Sequence, residues 1–176
     1  MNYQVYFQKA SLKSFLSVQI LVAFALLITI LFESALANFD LFLFGTPFLT
    51  FTIFFILSLY YPAALPLTSI FIITILHDVF ISSLYHSQTF AIILSLIIIK
   101  RLISFPEQRD FMEIWQGFGI AMAIMVGAQA LLFMVWELSL VNFQGLFFQF
   151  GISMLFYPFI HAVTMRLSQI FVDMAN

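Results

Sequence analysis

The sequence has no cysteine, and only 8% of its 176 residues are charged. The missing cysteines exclude disulfides, thiolate metal sites, iron–sulfur clusters and cysteine nucleophiles. Only six residues are Lys or Arg, and they are too dispersed to displace counterions from a nucleic acid, so nucleic-acid binding is excluded as well. The scarcity of charge also argues against a water-soluble protein, because such proteins are about 25% charged.

Apolar side chains, by contrast, are abundant. Hydrophobic residues make up 64% of the chain, 25 residues are phenylalanine, and the mean hydropathy is +1.12. A protein of this size cannot shield so much apolar surface from water behind six basic and eight acidic residues. The composition therefore predicts an all-α integral membrane protein whose main solvent and partner is the lipid bilayer.

Uncharged runs predict six transmembrane helices, because a bilayer core of about 30 Å takes about 20 helical residues. Prolines divide the longest run: Pro62 and Pro66 interrupt the uncharged stretch between Asp40 and Asp78. No linker or internal repeat is visible, so residues 1–176 are predicted to form one compact bundle, in which short turns make the second, third and fourth spans antiparallel neighbours. The predicted spans are about 15–32, 41–61, 66–84, 88–105, 114–136 and 147–165.

The basic residues predict the orientation of the bundle, because cytoplasmic connections carry the excess of Lys and Arg. An N-in, C-in topology places all of them on the cytoplasmic side: Lys9, Lys13, Lys100, Arg101, Arg109 and Arg166. The alternative for the N-terminal segment is a cleaved secretory signal, since Ala35-Leu36-Ala37 follows its apolar run. The length of that run, its interruption by Glu33 and the even number of spans favour a retained helix.

Asp78 is the only carboxylate that the predicted spans place well inside the membrane, where a charge is costly. Thr74, Asp78 and Ser82 recur at a spacing of four and therefore share one helix face. No Lys or Arg reaches this depth, and Gln129 in the fifth span is the best internal hydrogen-bond candidate. The polar stripe is interpreted as a set of hydrogen bonds that hold neighbouring helices together. A partner-facing site and an ion relay are the alternatives.

Two features of the last two spans concern helix packing. Gly119, Ala123 and Gly127 lie four apart on one face, and small residues at this spacing let helix backbones approach closely. Internal packing is the simplest interpretation, and a docking groove for the single transmembrane helix of a partner is the alternative. Pro158 in the sixth span is predicted to free the carbonyl of Met154 and to kink the helix.

The polar residues give little support to catalysis. The three histidines, His77, His86 and His161, do not form a metal site on the predicted topology, and there is no H-x-x-x-H motif, so no metal or other cofactor is expected. An aspartyl enzyme needs two carboxylates that share a site, and only Asp78 is predicted at depth. A G-x-S-x-G motif is absent as well.

The connection between the fourth and fifth spans is the only predicted cytoplasmic connection large enough to hold a partner. It carries Lys100, Arg101 and Arg109 among acidic residues. It is interpreted as a topology anchor, and docking of a cytoplasmic protein is the alternative. Trp115 and Trp136, at opposite ends of the fifth span, are predicted to be anchors at the membrane interfaces.

Several short motifs follow one another in a distinctive order. They are Pro47 opening a span that closes at Tyr61-Pro62, Asp78-Val79 followed by Ser82-Ser83, Trp115-Gln116-Gly117-Phe118 opening the fifth span, and Tyr157-Pro158 before Arg166-Leu167. In order, spacing, length and topology the chain from Pro47 on resembles MreD, the bacterial family of rod-shape-determining membrane proteins. The family usually has glycines after the aspartate, where this chain has serines and His86.

The resemblance implies a non-enzymatic scaffold of the bacterial inner membrane that maintains cell shape within the cell-elongation (rod) complex. The implied partners are the single-span MreC, the actin-like MreB filament and the peptidoglycan synthases. The family also looks similar in fold to the six-helix substrate-binding subunits (S-components) of vitamin transporters. Such a transporter subunit, with Asp78, His77, His86 and Gln129 lining a pocket for a small molecule, is the alternative function.

Overall fold

The computed structural model describes residues 12–39, 45–62, 65–80, 88–103, 109–138 and 143–175. Within these ranges every regular element is a helix. The helices are α1 (Leu12–Leu36), α2 (Leu49–Tyr60), α3 (Leu67–Phe80), α4 (Gln88–Leu102), α5 (Phe111–Glu137) and α6 (Phe143–Ala175). The predicted all-α class is confirmed, and the six described helices equal the predicted spans in number.

Three of the described helices are long and apolar enough to cross a membrane, through the segments Gln19–Leu36, Phe111–Trp136 and Phe143–Leu167. Helices α2 and α3 are apolar but have only 12 and 14 residues. At 1.5 Å per residue they are about 18 and 21 Å long, which is less than a bilayer core of about 30 Å. Helix α4 has 15 residues and carries Lys100 and Arg101 in its last turn.

Helix α2 begins later than the second predicted span, because residues 45–48 are not helical. Gly45 has a φ of +144°, a conformation that residues with a Cβ rarely adopt. Pro47 has no backbone N–H to contribute to a helical turn. The stretch is nevertheless held in place, since the N–H of Phe48 donates to the hydroxyl of Ser153 in α6 at 2.9 Å. The predicted helical start of this span is therefore wrong for these residues.

The core of the bundle is built around α2, which packs against α1, α4 and α6. Its residues Phe51, Phe54 and Phe55 are at most 1% exposed. Phe55 meets Phe118 of α5 edge to face, with ring centroids 5.3 Å apart, and Phe118 stacks on Tyr157 of α6 at 4.4 Å. Because such aromatic pairs stabilise beyond the area they bury, they fix α5 and α6 against the central helix.

Helix α3 packs against α1 and α4 rather than mainly against α2. The predicted neighbours α3 and α4 are thus in contact, whereas α2 and α3 are not among the main packing pairs of the described chain. Because α2 is already in contact with α1, α4 and α6, little of its surface is left for α3. The pairs α4–α5 and α5–α6 complete the bundle.

Helix α6 continues through Pro158. Since Pro158 has no N–H, the carbonyl of Met154 loses its helical partner. The indole N–H of Trp115 in α5 donates to that carbonyl at 3.2 Å. Trp115 is therefore partly buried and bridges α5 and α6, whereas Trp136 is 85% exposed.

Candidate functional site

Glu33 lies in the last turn of α1 and is 1% exposed. Its Oε2 accepts the backbone N–H of Thr50 at 3.0 Å and the Thr50 hydroxyl at 2.8 Å. Thr50 is in the first turn of α2, and Phe48 at the N-cap of that helix offers no side-chain hydrogen bond. The carboxyl of Glu33 therefore caps α2 from a neighbouring helix, at the end where the helix dipole favours an acidic group.

Asp78 repeats this arrangement in the next pair of helices. It is 4% exposed, and its Oδ2 accepts the N–H of Thr89 at 3.2 Å and the Thr89 hydroxyl at 2.6 Å. Thr89 is in the first turn of α4. In both pairs, then, a carboxyl group near the end of one helix caps the start of the following helix. This is a structural repeat that the sequence does not display as similarity.

His77 lies between the two carboxyl groups and is 1% exposed. Its Nε2 is 3.4 Å from Oε1 of Glu33, and its Nδ1 is 4.0 Å from Oδ1 of Asp78. These three residues are called the carboxylate–histidine cluster below. The cluster joins the ends of α1 and α3 to the beginnings of α2 and α4, so it ties four of the described helices together at one end of the bundle.

Part of the cluster is incomplete. Within the described residues, Nδ1 of His77, Oδ1 of Asp78 and Oε1 of Gln88 are buried without a hydrogen-bond partner. Gln88 is 4% exposed and directly precedes Thr89, which holds the other oxygen of Asp78. Because buried polar atoms are nearly always paired in folded proteins, these unpaired atoms identify a location that calls for explanation.

The other residues of the predicted polar stripe have different partners. The hydroxyl of Thr74 donates to two carbonyls of its own helix at 2.9 and 3.0 Å, so among the described residues its proton is used within α3. Asp78 is bonded to Thr89 rather than to Gln129, whose Oε1 is buried on α5 without a partner among the described residues. Ser82 lies outside the described residues.

The small residues of α5 do not pack as one internal face. A Cβ added at Gly119 would lie 3.2 Å from the terminal methyl of Met154, so this glycine sits against α6. Ala123 and Gly127 are exposed, and no described atom lies within 4 Å of a Cβ added at Gly127. The described part of the bundle therefore leaves the second half of this face open.

The predicted cytoplasmic docking residues lie at the opposite end of the bundle from the cluster. Lys100 and Arg101 are exposed in the last turn of α4. Arg109 precedes α5 and pairs with Glu113 at 2.9 Å, with 47% and 51% of the two side chains exposed. Such an exposed ion pair contributes about 0.3–0.5 kcal/mol to stability, so the pair only weakly restrains the side chains of Arg109 and Glu113.

The histidines do not converge. His161 packs among the rings of Tyr60, Phe111 and Tyr157. The contacts described for His77, by contrast, are with carboxyl groups. His86 lies outside the described residues. In the described ranges no three His, Asp or Glu side chains are arranged to hold a metal ion.

Sequence reasoning missed that His77 lies near Asp78 and that Glu33 contacts the same histidine. From the sequence, Glu33 only interrupts an apolar run, and His77 is a rejected metal ligand or part of the lining of a transporter pocket. A usable signal was present: each buried carboxyl residue precedes a threonine that lies in the first turn of the next helix, Thr50 and Thr89 respectively.

No family model, no curated protein and no solved structure matches the chain. Function is therefore inferred from the sequence and from the geometry of the folded chain.

Proposed function

We propose that this protein is a non-enzymatic scaffold of the bacterial cell-elongation (rod) complex, embedded in the inner membrane. It would hold MreC, the MreB filament and the peptidoglycan synthases together and so maintain cell shape. The proposal rests on the sequence resemblance to MreD and on one structural observation, which is the open face of α5 around Gly127.

The open face of α5 is formed by Ala123 and Gly127 and continues into Leu131, which is 65% exposed. It lies within the apolar segment Phe111–Trp136. Between helices in lipid there is no hydrophobic driving force, so association depends on close packing, which small residues permit. A single transmembrane helix of a partner is the occupant whose shape and polarity suit this face, and the single-span MreC has that form.

A six-span arrangement is consistent with the short helices. Helix α2 is too short to cross alone, but residues 45–48 extend it by up to about 13 Å. Non-helical chain at membrane depth is tolerated where protein covers it, and Phe48 in this stretch is 2% exposed. Lys100, Arg101 and Arg109 lie where α4 ends and α5 begins, at one end of the bundle. We propose that this end faces the cytoplasm.

The proposed topology is tested with a reporter that is active only in the periplasm. A fusion near Asp40 should be active and a fusion near Gln108 inactive, because these positions follow the first and fourth predicted spans. An active fusion near Gln108 together with an inactive fusion near Asp40 would show the opposite orientation and contradict the proposed topology.

The alternative function, a substrate-binding subunit of a small-molecule transporter, has less support from the geometry. Two of the residues expected to line its pocket, His77 and Asp78, are buried in contact with Glu33 and Thr89. The third described one, Gln129, lies on α5 and makes no hydrogen bond to them. Binding of a vitamin-sized ligand by the purified protein would revive this alternative.

The scaffold proposal is tested by purifying the tagged full-length protein from native membranes and identifying the co-purifying proteins by mass spectrometry. We expect elongation proteins, with MreC foremost. Recovery of the folded protein with no elongation protein would contradict the proposal.

A further inference from the structure

We propose that the carboxylate–histidine cluster is a proton-binding site, in which His77 shares a proton with Glu33 or Asp78 and the cluster exchanges protons with water at the nearby helix ends. The proposal concerns the chemistry of the buried cluster and does not depend on the scaffold function.

The charge of the cluster requires bound protons. In the described part of the chain, no Lys or Arg pairs with it. The groups that reach it from α2 and α4 are neutral: Thr50 and Thr89. With both carboxyl groups ionised and His77 neutral, the cluster would carry two negative charges on side chains at most 4% exposed. Burying uncompensated charge is strongly unfavourable, so the cluster is expected to bind two further protons and become neutral.

Two protons are distributed over three groups, so one group always lacks a proton. When that group is a carboxylate, it can accept the proton of His77. In one step the Nε2 proton of imidazolium His77 passes to Oε1 of Glu33, which gives neutral imidazole and a carboxylic acid. In the other step the Nδ1 proton of imidazolium His77 passes to Oδ1 of Asp78, which gives neutral imidazole and the carboxylic acid of Asp78. Either step leaves the total charge of the cluster unchanged.

The two oxygens of each carboxyl group have different neighbours. Oε2 of Glu33 and Oδ2 of Asp78 are held by a threonine N–H and hydroxyl. The other oxygens, Oε1 and Oδ1, face His77 at 3.4 and 4.0 Å. The threonines thus fix the position of each carboxyl group, while the oxygen nearest the imidazole stays available to a proton.

The cluster contains buried polar atoms that no described group pairs. Nδ1 of His77 and Oδ1 of Asp78 are unpaired in the described structure and 4.0 Å apart, and Oε1 of Gln88 is unpaired as well. A water molecule can bridge groups at such a separation and carry a proton between them. Exposed polar groups lie close by in the chain: Ser34, which directly follows Glu33, donates its hydroxyl to the carbonyl of Phe80, two residues after Asp78, at 3.4 Å.

The test is infrared spectroscopy of the full-length protein in lipid nanodiscs at neutral pH. Every neutral state of the cluster contains at least one protonated carboxyl group, so the wild type should show the carbonyl absorption of a buried carboxylic acid. The double variant Glu33→Gln/Asp78→Asn should lose it completely, while Glu113→Gln, at an exposed carboxylate, should keep it. Absence of this absorption in the wild type, or its persistence in the double variant, would overturn the proposal.

Exchange with water is measured on the wild type alone, so the result does not depend on whether a variant folds. Transfer of the folded protein to D₂O should shift the carboxylic acid absorption to lower frequency. An absorption that never shifts while the protein stays folded would overturn the exchange with water. Labelling the histidine rings with ¹⁵N gives a second readout: His77 should be neutral in the double variant, whereas its protonation should be shared with the carboxyl groups in the wild type.

Discussion

Replacement of Glu33 by alanine is expected to reduce the stability of the folded protein by about 3–5 kcal/mol. The substitution removes the acceptor for the N–H and hydroxyl of Thr50 and for Nε2 of His77, all of which are buried. Unpaired buried donors cost about 1–3 kcal/mol each, and α2 loses its only described side-chain cap. Unfolding of the purified protein in mixed micelles, followed by circular dichroism, measures the change.

Glu113→Ala is the matched control, since Glu113 is also a helical glutamate with a nearby basic partner. Its side chain is 51% exposed and pairs with Arg109 one turn away. The expected loss is about 0.5 kcal/mol or less. Equal losses for the two substitutions would mean that Glu33 does not cap α2.

Replacement of Gly45 by alanine is expected to destabilise the protein by about 2–3 kcal/mol. Gly45 has a φ of +144°, and an added Cβ would lie 2.6 Å from Cγ of Gln149 and 3.2 Å from the carbonyl oxygen of Gly145. A change in backbone there would also displace Phe48, whose N–H bonds α6. The same unfolding measurement is suitable.

Gly151→Ala provides the control for this substitution. Gly151 is an exposed residue of α6, and no described atom lies within 4 Å of a Cβ added to it. Alanine is a better helix former than glycine by about 1 kcal/mol, so this variant should be as stable as the wild type or more stable. If both alanine variants unfold alike, the conformation of Gly45 does not matter for stability.

The sequence was sufficient to predict the class of fold, because hydrophobicity and proline act locally. Long apolar runs correspond to α1, α5 and α6, and the pair Tyr61-Pro62 marks the end of α2 as expected. The start of α2 was harder to predict. Gly45 and Pro47 interrupt an uncharged run that hydropathy alone extends further back, and the non-helical stretch there is held by the hydrogen bond from the N–H of Phe48 to Ser153 of α6, which no local pattern reveals.

The two threonines give a signal for the caps, but the cluster as a whole could not be predicted, because its contacts join residues far apart in the chain. Glu33 and His77 are separated by 44 positions, and neither belongs to a local motif. Capping rules search for a polar residue at the start of the helix itself, whereas here the capping groups come from the ends of α1 and α3. A lone carboxyl in an apolar run predicts that Asp78 needs polar partners, but the identity of those partners depends on the packing of four helices.

The small residues of α5 illustrate a different limit. Their spacing predicts a surface that another helix can approach, but the spacing is the same whether that helix belongs to the protein or to a partner. The structure separates the two cases within a single stripe: Gly119 contacts Met154, and Gly127 is open in the described bundle. The proposed function depends on this second half of the stripe.

Co-purification of the Gly127→Leu variant from native membranes tests this central claim most directly. Leucine at position 127 meets no described atom within 4 Å of its Cβ, so the variant should fold normally and yet lose the partner whose helix lies on that face. Gly151→Leu, at an equally open glycine of α6, is the matched control and should retain the partner. The account predicts at least a tenfold loss of MreC with the first variant alone, which corresponds to about 1.4 kcal/mol. Equal recovery of MreC with both folded variants would contradict it.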